Sequence, residues 1–374
     1  MRVLICPDKF KGSLSAREAA GAIARAVGQA LPGAEIELQP LADGGEGSLE
    51  LFQGQPELAE RRVTVPGPLR KPIKASYLLG GGRAVIETAA ACGLHLVPPP
   101  RRHPKHTTTI GVGALIDDAL ARGAERITLL LGGSSTSDCG AGMAAALGYR
   151  FFSDRGDDFV PMADSLKWVA QIDHRQRLPA LDHAIFTTLC DVDAPLWGPA
   201  GTTYTYARQK GAGTDELPLL EDNVLHFTSI VERDVRPNIR ESRGAGAAGG
   251  LGFGALAFLG AELRPGVEEI FKAVDFASKC ARADLVITGE GKIDRQTLAG
   301  KVVAGVIACA KPTVAVCGQS ELAAAELGVE RILSILPASG LSLTSATADA
   351  ARYLEQRVYD YLTSDQFHHP TYEW

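Results

Sequence analysis

The sequence predicts an α/β protein in which both chain ends form a Rossmann-like parallel-sheet domain and a second, mixed α/β domain is inserted between them. Strand-like apolar runs alternate with helical patterns at both ends, and a hairpin pattern interrupts this alternation. A chain of 374 residues is also too long for one ordinary core of about 150 residues. We expect residues 1–65 and 282–374 in the first domain, 66–281 in the second, and the active site in the cleft between them.

The N-terminal segment predicts a parallel βαβ unit. Val3 to Cys6 is a short apolar run that Pro7 ends, as expected of a buried strand. The capping box from Ser15 to Glu18 predicts the start of a helix with apolar residues at helical spacing. Ile36 to Leu41 predicts the second strand, which leads into a glycine-rich loop.

The pattern changes after Pro66, where Lys74–Leu79 and Arg83–Glu87 predict two strands joined by three glycines as a hairpin. The remaining predicted elements alternate between strand and helix. The middle of the chain has a helix over Thr109–Ala121, a strand over Arg126–Leu131, a helix over Gly140–Leu147 and a strand over Ala184–Leu189. The C-terminal part has strands over Leu285–Thr288, Thr313–Cys317 and Ile332–Leu336, and helices over Gly300–Ala310 and Ala346–Leu362.

Composition excludes several classes of protein. The formal charge of −6, from 38 basic and 44 acidic residues, argues against nucleic acid as a partner. Seven scattered cysteines without a CxxC pair argue against a disulfide framework or zinc site and favour a reducing cytoplasm. The N-terminus lacks the apolar stretch of a signal peptide. Residues 244–261 are uncharged but glycine-rich, so we expect a loop leading into a buried helix and no membrane partner.

Acidic residues, glycines and lysines follow the predicted strands, where open parallel sheets bind ligands. Phosphoryl transfer uses this mixture, because it needs N–H groups and cations for phosphate oxygens, carboxylates for Mg²⁺ and a base for the attacking hydroxyl. Each of these residues could also serve the fold or the surface without binding a ligand. The hydroxyls from Ser134 to Ser137 could cap a helix, Asp191 and Asp193 could form a turn, and Lys9 and Lys11 could be solvated charges.

Other ligand motifs are incomplete. Residues 244–249 fit GxGxxG, but the charged segment before them does not resemble the strand that a dinucleotide site requires. Glu262 stands near the distance of the ribose-binding acid, again without a convincing strand. No GxxxxGK[ST] motif occurs, which argues against a Walker-type ATPase. His103 and His106 lie in a proline- and arginine-rich loop, where surface histidines are commoner than metal ligands.

Six ordered motifs nevertheless resemble the type I glycerate kinase family, bacterial enzymes that phosphorylate glycerate with ATP. The matching stretches cover almost the whole chain: Pro7–Ala16, Pro40–Ser48, Leu131–Met143, Cys190–Gly201, Gly244–Gly252 and Ile287–Lys301. The resemblance implies ATP and Mg²⁺ as cofactors, D-glycerate as the small-molecule substrate and 2-phosphoglycerate as the product. It leaves the choice between monomer and homodimer open.

The resemblance also implies roles for individual residues. Asp191 would be the general base, and Lys9 would pair with phosphate or with the substrate carboxylate. The expected substrate-binding residues are Asp8, Lys11, Ser13, Asp43 and Asp294, and Asp43 and Glu290 are the expected metal ligands. The expected phosphate-binding residues are Gly132, Gly133, Ser134, Ser135, Thr136, Gly246, Gly249 and Gly250.

Two departures from the family pattern weaken part of this transfer. Residues 135–139 replace the commoner Ala-Thr-Asn-Asp-Gly, and Ala194 stands where Asn is usual. Three alternatives stay open: an NAD-dependent hydroxyacid dehydrogenase, phosphorylation at the 3-position, and a non-catalytic regulator that binds a sugar acid.

Overall fold

The computed structural model describes residues 1–53, 55–190, 194–298, 301–336 and 343–367. It divides the chain into two compact units. The terminal unit consists of Met1–Asp43 and Val267–Trp374, and the inserted unit consists of Gly44–Gly266. The location of the active site in a cleft between two domains stays a prediction.

The boundaries between the units lie at 43/44 and 266/267, whereas 65/66 and 281/282 were expected. Two elements near the expected boundaries account for the difference. The strand Ala59–Pro66 pairs antiparallel with Pro72–Gly80, which makes it part of the inserted unit's sheet. The helix Phe276–Arg282 packs against the first strand, and Lys279 Nζ lies 4.0 Å from Glu37 Oε1. That helix therefore belongs to the terminal unit.

The terminal unit contains a five-stranded parallel sheet, which confirms the predicted Rossmann-like parallel sheet. Numbered along the chain within the unit, its strands stand in the doubly wound order 5-4-3-1-2. In that spatial order they are Arg331–Ser334, Thr313–Ser320, Leu285–Ile293, Arg2–Ile5 and Glu35–Leu38. Val3 pairs with both Leu285 and Ile36, so the first strand lies between two neighbours.

Seven helices accompany this sheet in the described part of the unit. They are Ala16–Ala30, Gly266–Ala273, Phe276–Arg282, Val302–Ile307, Ala324–Leu327, Leu343–Ala348 and Ala350–Leu362. The first begins at the predicted capping box, in which Ser15 and Glu18 bond each other's backbone N–H groups. Its Ile23 and Val27 are fully buried in one core with the Ala350–Leu362 helix. The predicted C-terminal helix is broken at Asp349, which separates its two parts.

The inserted unit contains a six-stranded mixed sheet. Its spatial order is Glu262–Pro265, Ile185–Cys190, Arg126–Leu130, Arg83–Glu87, Pro72–Gly80 and Ala59–Pro66. The first four strands are parallel to one another. Pro72–Gly80 then pairs antiparallel with Arg83–Glu87 on one side and with Ala59–Pro66 on the other, which confirms the predicted hairpin. The strand at Glu262 contradicts the expectation that this position lacks one.

The unit also has a small antiparallel sheet, formed by Asp158–Phe159, Arg150–Phe152 and Gln171–Asp173. Its α-helices are Ala89–Cys92, Ile110–Ala121, Ala141–Ala146, Thr202–Tyr206, Leu217–Asp234 and Ala247–Leu259. Residues 248–250 in the last of these have left-handed backbone angles, and the helix beyond them is largely buried. The structure therefore agrees with the expected loop that leads into a buried helix.

Across the described ranges, no helix is both long enough and apolar enough to cross a membrane.

Candidate active site

The strand order of the terminal unit creates a switch point between Arg2–Ile5 and Leu285–Ile293. Ligands of doubly wound sheets bind beyond the carboxyl ends of the strands at such a point. The loop after the first strand is held there, because Cys6 N–H donates to Ile287 O at 2.8 Å and Asp8 N–H donates to Gly289 O at 2.8 Å. The first and last of the six motifs therefore lie side by side.

Three carboxylates and one lysine gather at this switch point. Lys9 Nζ lies 3.5 Å from Asp43 Oδ1, and the Lys9 N–H donates to Asp8 Oδ1 at 2.6 Å. Burial, and next the charge of Asp43, raise the pKa of Asp8 to about 7, while Lys9 partly opposes this effect. Glu290 adds a smaller repulsion. The group thus carries excess negative charge that a cation or a hydroxyl donor would stabilise.

Glu290 presents an unused oxygen. Its Oε1 is buried and makes no hydrogen bond, although a buried acceptor is usually paired. Burial raises the pKa of Glu290, and the Thr297 hydroxyl and the charge of Lys301 oppose that shift. The free oxygen belongs to a residue predicted as a metal ligand.

The other predicted substrate residues of this unit have local partners. Asp294 Oδ1 accepts from Gln296 N–H at 2.8 Å, and its Oδ2 lies 3.3 Å from Lys292 Nζ. Ser13 Oγ donates to Phe10 O at 3.0 Å within the turn of its own loop. Lys11 is exposed on that turn. Asp8, Lys9, Asp43 and Glu290 are therefore brought together, whereas Lys11 is exposed and the Ser13 hydroxyl bonds within the turn.

In the inserted unit, the predicted phosphate loop follows the strand Arg126–Leu130; Gly133 is exposed, whereas Ser134, Ser135 and Thr136 are buried. Ser135 uses its hydroxyl internally, donating to Cys92 O at 2.9 Å. Asp138 is fully buried and accepts hydrogen bonds from the Thr109 N–H at 2.8 Å and its hydroxyl at 2.9 Å. Burial raises the pKa of Asp138, and these donors oppose the shift. The loop is thus held rigidly at its far end.

The second glycine-rich segment packs directly against this loop. Gly249 has φ +77°, and a Cβ there would overlap with the carbonyl oxygen of Thr136. A Cβ on Gly250 would lie 2.6 Å from Cys139 Sγ. Gly246 instead approaches the carbonyl of Pro195. The structure therefore brings Gly249 and Gly250 together with Ser134, Ser135 and Thr136.

Sequence reasoning missed Lys210, whose ammonium lies at the junction of these two segments. Its Nζ donates to Ser134 Oγ at 3.0 Å and to Thr136 O at 2.6 Å. Burial lowers the pKa of Lys210 to about 8. The lysine before Gly211-Ala212-Gly213 is the only local signal, and it matches no phosphate-binding motif.

Glu46 and His95 were missed as well. Glu46 Oε1 lies 3.4 Å from His95 Nδ1. A Cβ on Gly133 would collide with the Glu46 carboxylate, and one on Gly132 would lie 2.6 Å from Gly45 Cα. Hydrogen bonding to Glu46 raises the pKa of His95. These contacts explain why glycine occupies both positions at the start of the loop.

Asp191, the predicted base, and Asp193 lie outside the described residues. They follow directly on Cys190, the last residue of the strand Ile185–Cys190. Their roles stay predictions.

Comparison with known proteins decides the family. The sequence model described as the glycerate kinase family matches residues 3–363. The chain belongs to the glycerate kinase family. It is 43% identical over 373 residues to a glycerate kinase from Bacillus subtilis (strain 168), with 97% of each chain covered. It is 38% identical over 349 residues to a glycerate 2-kinase from Escherichia coli (strain K12), covering 91% of this chain and 92% of that one.

A solved structure extends the similarity to the fold. It comes from Salmonella typhimurium LT2 and is provisionally assigned as glycerate kinase 2. The TM-score is 0.80 at 36% identity, with 98% of this chain and 99% of that chain covered. The predicted glycerate kinase family and mixed α/β fold are confirmed.

Membership of the glycerate kinase family makes the protein a kinase that uses ATP and a small-molecule substrate, so the predicted enzyme class is confirmed. The dehydrogenase alternative finds no support. Residues 235–243 form turns and bends instead of the strand that would have to precede Gly244. The strand at Glu262 does not supply that missing strand.

Proposed function

We propose that the protein transfers the γ-phosphoryl group of ATP to the 2-hydroxyl of D-glycerate, forming 2-phospho-D-glycerate and ADP. The observation that carries this proposal is the group of Asp8, Lys9, Asp43 and Glu290 at the switch point of the terminal sheet. A lysine among carboxylates suits a substrate that bears both a carboxylate and hydroxyls. The 2-position is supported by the relative from Escherichia coli, which is named a glycerate 2-kinase.

Glycerate would be held by opposite charges and by hydrogen bonds. The ammonium of Lys9 would pair with the substrate carboxylate or with the transferred phosphoryl group. Asp8 and Asp43 would accept hydrogen bonds from the hydroxyls of glycerate, since ionised carboxylates act only as acceptors. A hydrogen bond from a substrate hydroxyl to Asp8 would stabilise the ionised form of this carboxyl group, which burial otherwise disfavours.

Asp191 would act as the base. As the 2-oxygen of glycerate attacks the γ-phosphorus, its proton passes to the Asp191 carboxylate and the bond to the β,γ-bridging oxygen breaks, releasing ADP. Proton transfer to a positioned base typically contributes about 10²- to 10⁴-fold to the rate. An aspartate directly after the strand Ile185–Cys190 has the chain position that this role needs.

The ATP phosphates would bind along residues 132–136 and the segment around Gly246, Gly249 and Gly250. Glycines allow backbone N–H groups to approach phosphate oxygens closely. The buried Thr136 Oγ1, which makes no hydrogen bond of normal geometry, adds a polar group at the same loop.

The residues of the terminal unit fit Mg²⁺. The buried, unpaired Oε1 of Glu290 is a suitable oxygen ligand, and Asp43 carries a nearby negative charge. No group of three His, Cys, Asp or Glu side chains in the described ranges could enclose a metal ion. One or two protein carboxylates are enough for Mg²⁺, which usually completes its coordination with substrate phosphates and water. When bound, Mg²⁺ would neutralise charge on the phosphate oxygens.

We also propose a cytoplasmic location. All seven cysteines are free thiols, and six of them are buried. Free thiols in this number are typical of a reducing compartment.

Release of ADP tests the proposal in a coupled assay with separate D-glycerate, L-glycerate and acceptor-free reactions. We expect Mg²⁺-dependent ADP release with D-glycerate far above the acceptor-free rate. Equal release with and without glycerate would contradict it. Glu290→Gln tests the proposed ligand, since it should raise the Mg²⁺ concentration needed for half-maximal activity, whereas an unchanged requirement would remove Glu290 from the metal site.

A further inference from the structure

Lys210 touches both glycine-rich segments that are proposed to bind phosphate. Its side chain is almost completely buried. Besides its hydrogen bonds to Ser134 Oγ and Thr136 O, its Nζ faces the second segment, where a Cβ on Gly249 would come within 2.8 Å. One ammonium group therefore joins two segments that are far apart in the sequence.

The turn that carries Lys210 is anchored on its C-terminal side. Gly211 has φ +102° and packs so closely on Arg102 that a Cβ would overlap with the Arg102 carbonyl oxygen. Glu216 forms an ion pair with Lys105, and its Oε2 lies 3.0 Å from His103 Nε2. These contacts hold the backbone of Lys210 in place, so its long side chain points at the loop before any ligand arrives.

The charge of Lys210 lacks a close counterion. Among the residues that the structure describes, no carboxylate forms an ion pair with it, and its protein partners are a hydroxyl and a carbonyl. The titratable groups around it are the thiols of Cys92 and Cys139 and the buried carboxyl of Asp138. They affect the pKa of Lys210 through their charge, without a hydrogen bond to its ammonium. A buried ammonium is costly unless an anion compensates it.

We infer that Lys210 is a positioning residue of the phosphate site, which fastens residues 134–136 to the segment around Gly249 and supplies the positive charge that attracts the ATP phosphates. The inference rests on the proposed kinase function and adds a residue to it. It predicts an effect on ATP binding that is separable from glycerate binding, because both hydrogen bonds of the Lys210 ammonium go to the predicted phosphate loop.

Lys210→Met tests this role, with Lys167→Met as the matched control at an exposed lysine of the same unit. Hydrogen bonds to charged groups lead us to expect a rise in the KM for ATP of about 10- to 100-fold in Lys210→Met, with the KM for D-glycerate nearly unchanged. The Lys167→Met control should have the same two KM values as the natural protein. Equal rises in both KM values, or none, would overturn the inference.

A pH profile separates this role from simple core packing. With the pKa of Lys210 near 8, kcat/KM for ATP should fall above that pH in the natural protein, and this fall should be absent in Lys210→Met. A persisting alkaline fall in the variant would contradict the inference. If Lys210→Met does not fold, Lys210→Gln takes its place, because it also removes the charge and should raise the KM for ATP without changing the KM for D-glycerate.

Calorimetric titration with ADP distinguishes the inference from the proposed function. If the natural protein makes no phosphoglycerate, the function fails, yet weaker ADP binding by Lys210→Met, by about tenfold, would still support the role of Lys210. Unchanged ADP affinity in a folded variant would overturn that role while leaving the kinase reaction intact.

Discussion

Lys9 Nζ lies 3.5 Å from Asp43 Oδ1, although the two residues follow different strands of the terminal sheet. Both strands are parallel and neighbouring, so their carboxyl ends meet at one edge. The contact joins the first two of the six motifs. It also places a positive charge in a group that otherwise consists of carboxylates, at the position where we propose that glycerate binds.

Replacement of Lys9 should damage turnover much more than replacement of Lys11. Lys9→Met removes the ammonium that lies 3.5 Å from Asp43 Oδ1, and we expect kcat/KM for glycerate to fall by about 10²- to 10³-fold, as when one preorganised donor is lost. Lys11→Met alters an exposed side chain and should cost about fivefold or less. Steady-state kinetics with varied D-glycerate decide this, and equal losses would contradict the assignment of Lys9.

Asp8 should make stability depend on pH in an unusual direction. Its folded-state pKa of about 7 exceeds the unfolded value of about 3.9, so the folded state binds more protons between these pH values. The free energy of unfolding contributed by this group therefore falls as the pH rises from about 4 to about 7 and stays low above.

Asp8→Asn removes that dependence. We expect the variant to be more stable than the natural protein at pH 8, by at most about 4 kcal/mol, and equally stable near pH 4. Urea unfolding in the absence of Mg²⁺ measures the difference. The exposed Asp117→Asn is the control and should follow the natural protein at both values. A variant less stable at pH 8 would show that Asp8 is not destabilising there.

Gly249 should tolerate no side chain, because its left-handed backbone and its contact with Thr136 both exclude one. Gly123 separates the two effects, since it also has a positive φ, +83°, but open space around its Cβ position. Gly123→Ala should cost about 1–2 kcal/mol of unfolding free energy. Gly249→Ala should cost clearly more and weaken ATP binding. Equal costs in urea unfolding would mean that the two segments do not pack as described.

The Asp191→Asn variant should lose most of its turnover but still bind ATP. We expect kcat to fall by about 10²- to 10⁴-fold, with the calorimetric affinity for ATP almost unchanged. Asp193→Asn is the matched control two residues along the chain and should lose much less. A kcat near that of the natural protein in Asp191→Asn would exclude Asp191 as the base.

Local sequence signals predicted the elements that local interactions form. The capping box at Ser15 and Glu18 needs only residues three apart, and the three glycines before Arg83 suffice for a hairpin. The strand Glu262–Pro265 has no such signal, since its four residues include two charges and a proline. Its extended state comes from pairing with Ile185–Cys190, about 75 residues away.

The same distinction applies to the candidate site. The carboxyl ends of strands pointed to Asp8, Asp43 and Glu290, because parallel topology brings those ends together. Lys210 was missed because its contacts with Ser134 and Thr136 span 76 and 74 residues. A buried lysine and an exposed one look alike in a sequence, since burial is a property of the folded chain.

Phosphorus NMR of the reaction products tests the central claim most directly. The purified protein would be incubated with ATP, Mg²⁺ and D-glycerate, and the spectrum compared with standards of the two phosphoglycerates. We predict ADP and 2-phosphoglycerate in equal amounts. A product with the 3-phosphoglycerate signal would contradict the proposed position of transfer, and ATP left intact with every glycerate isomer would contradict the kinase reaction itself.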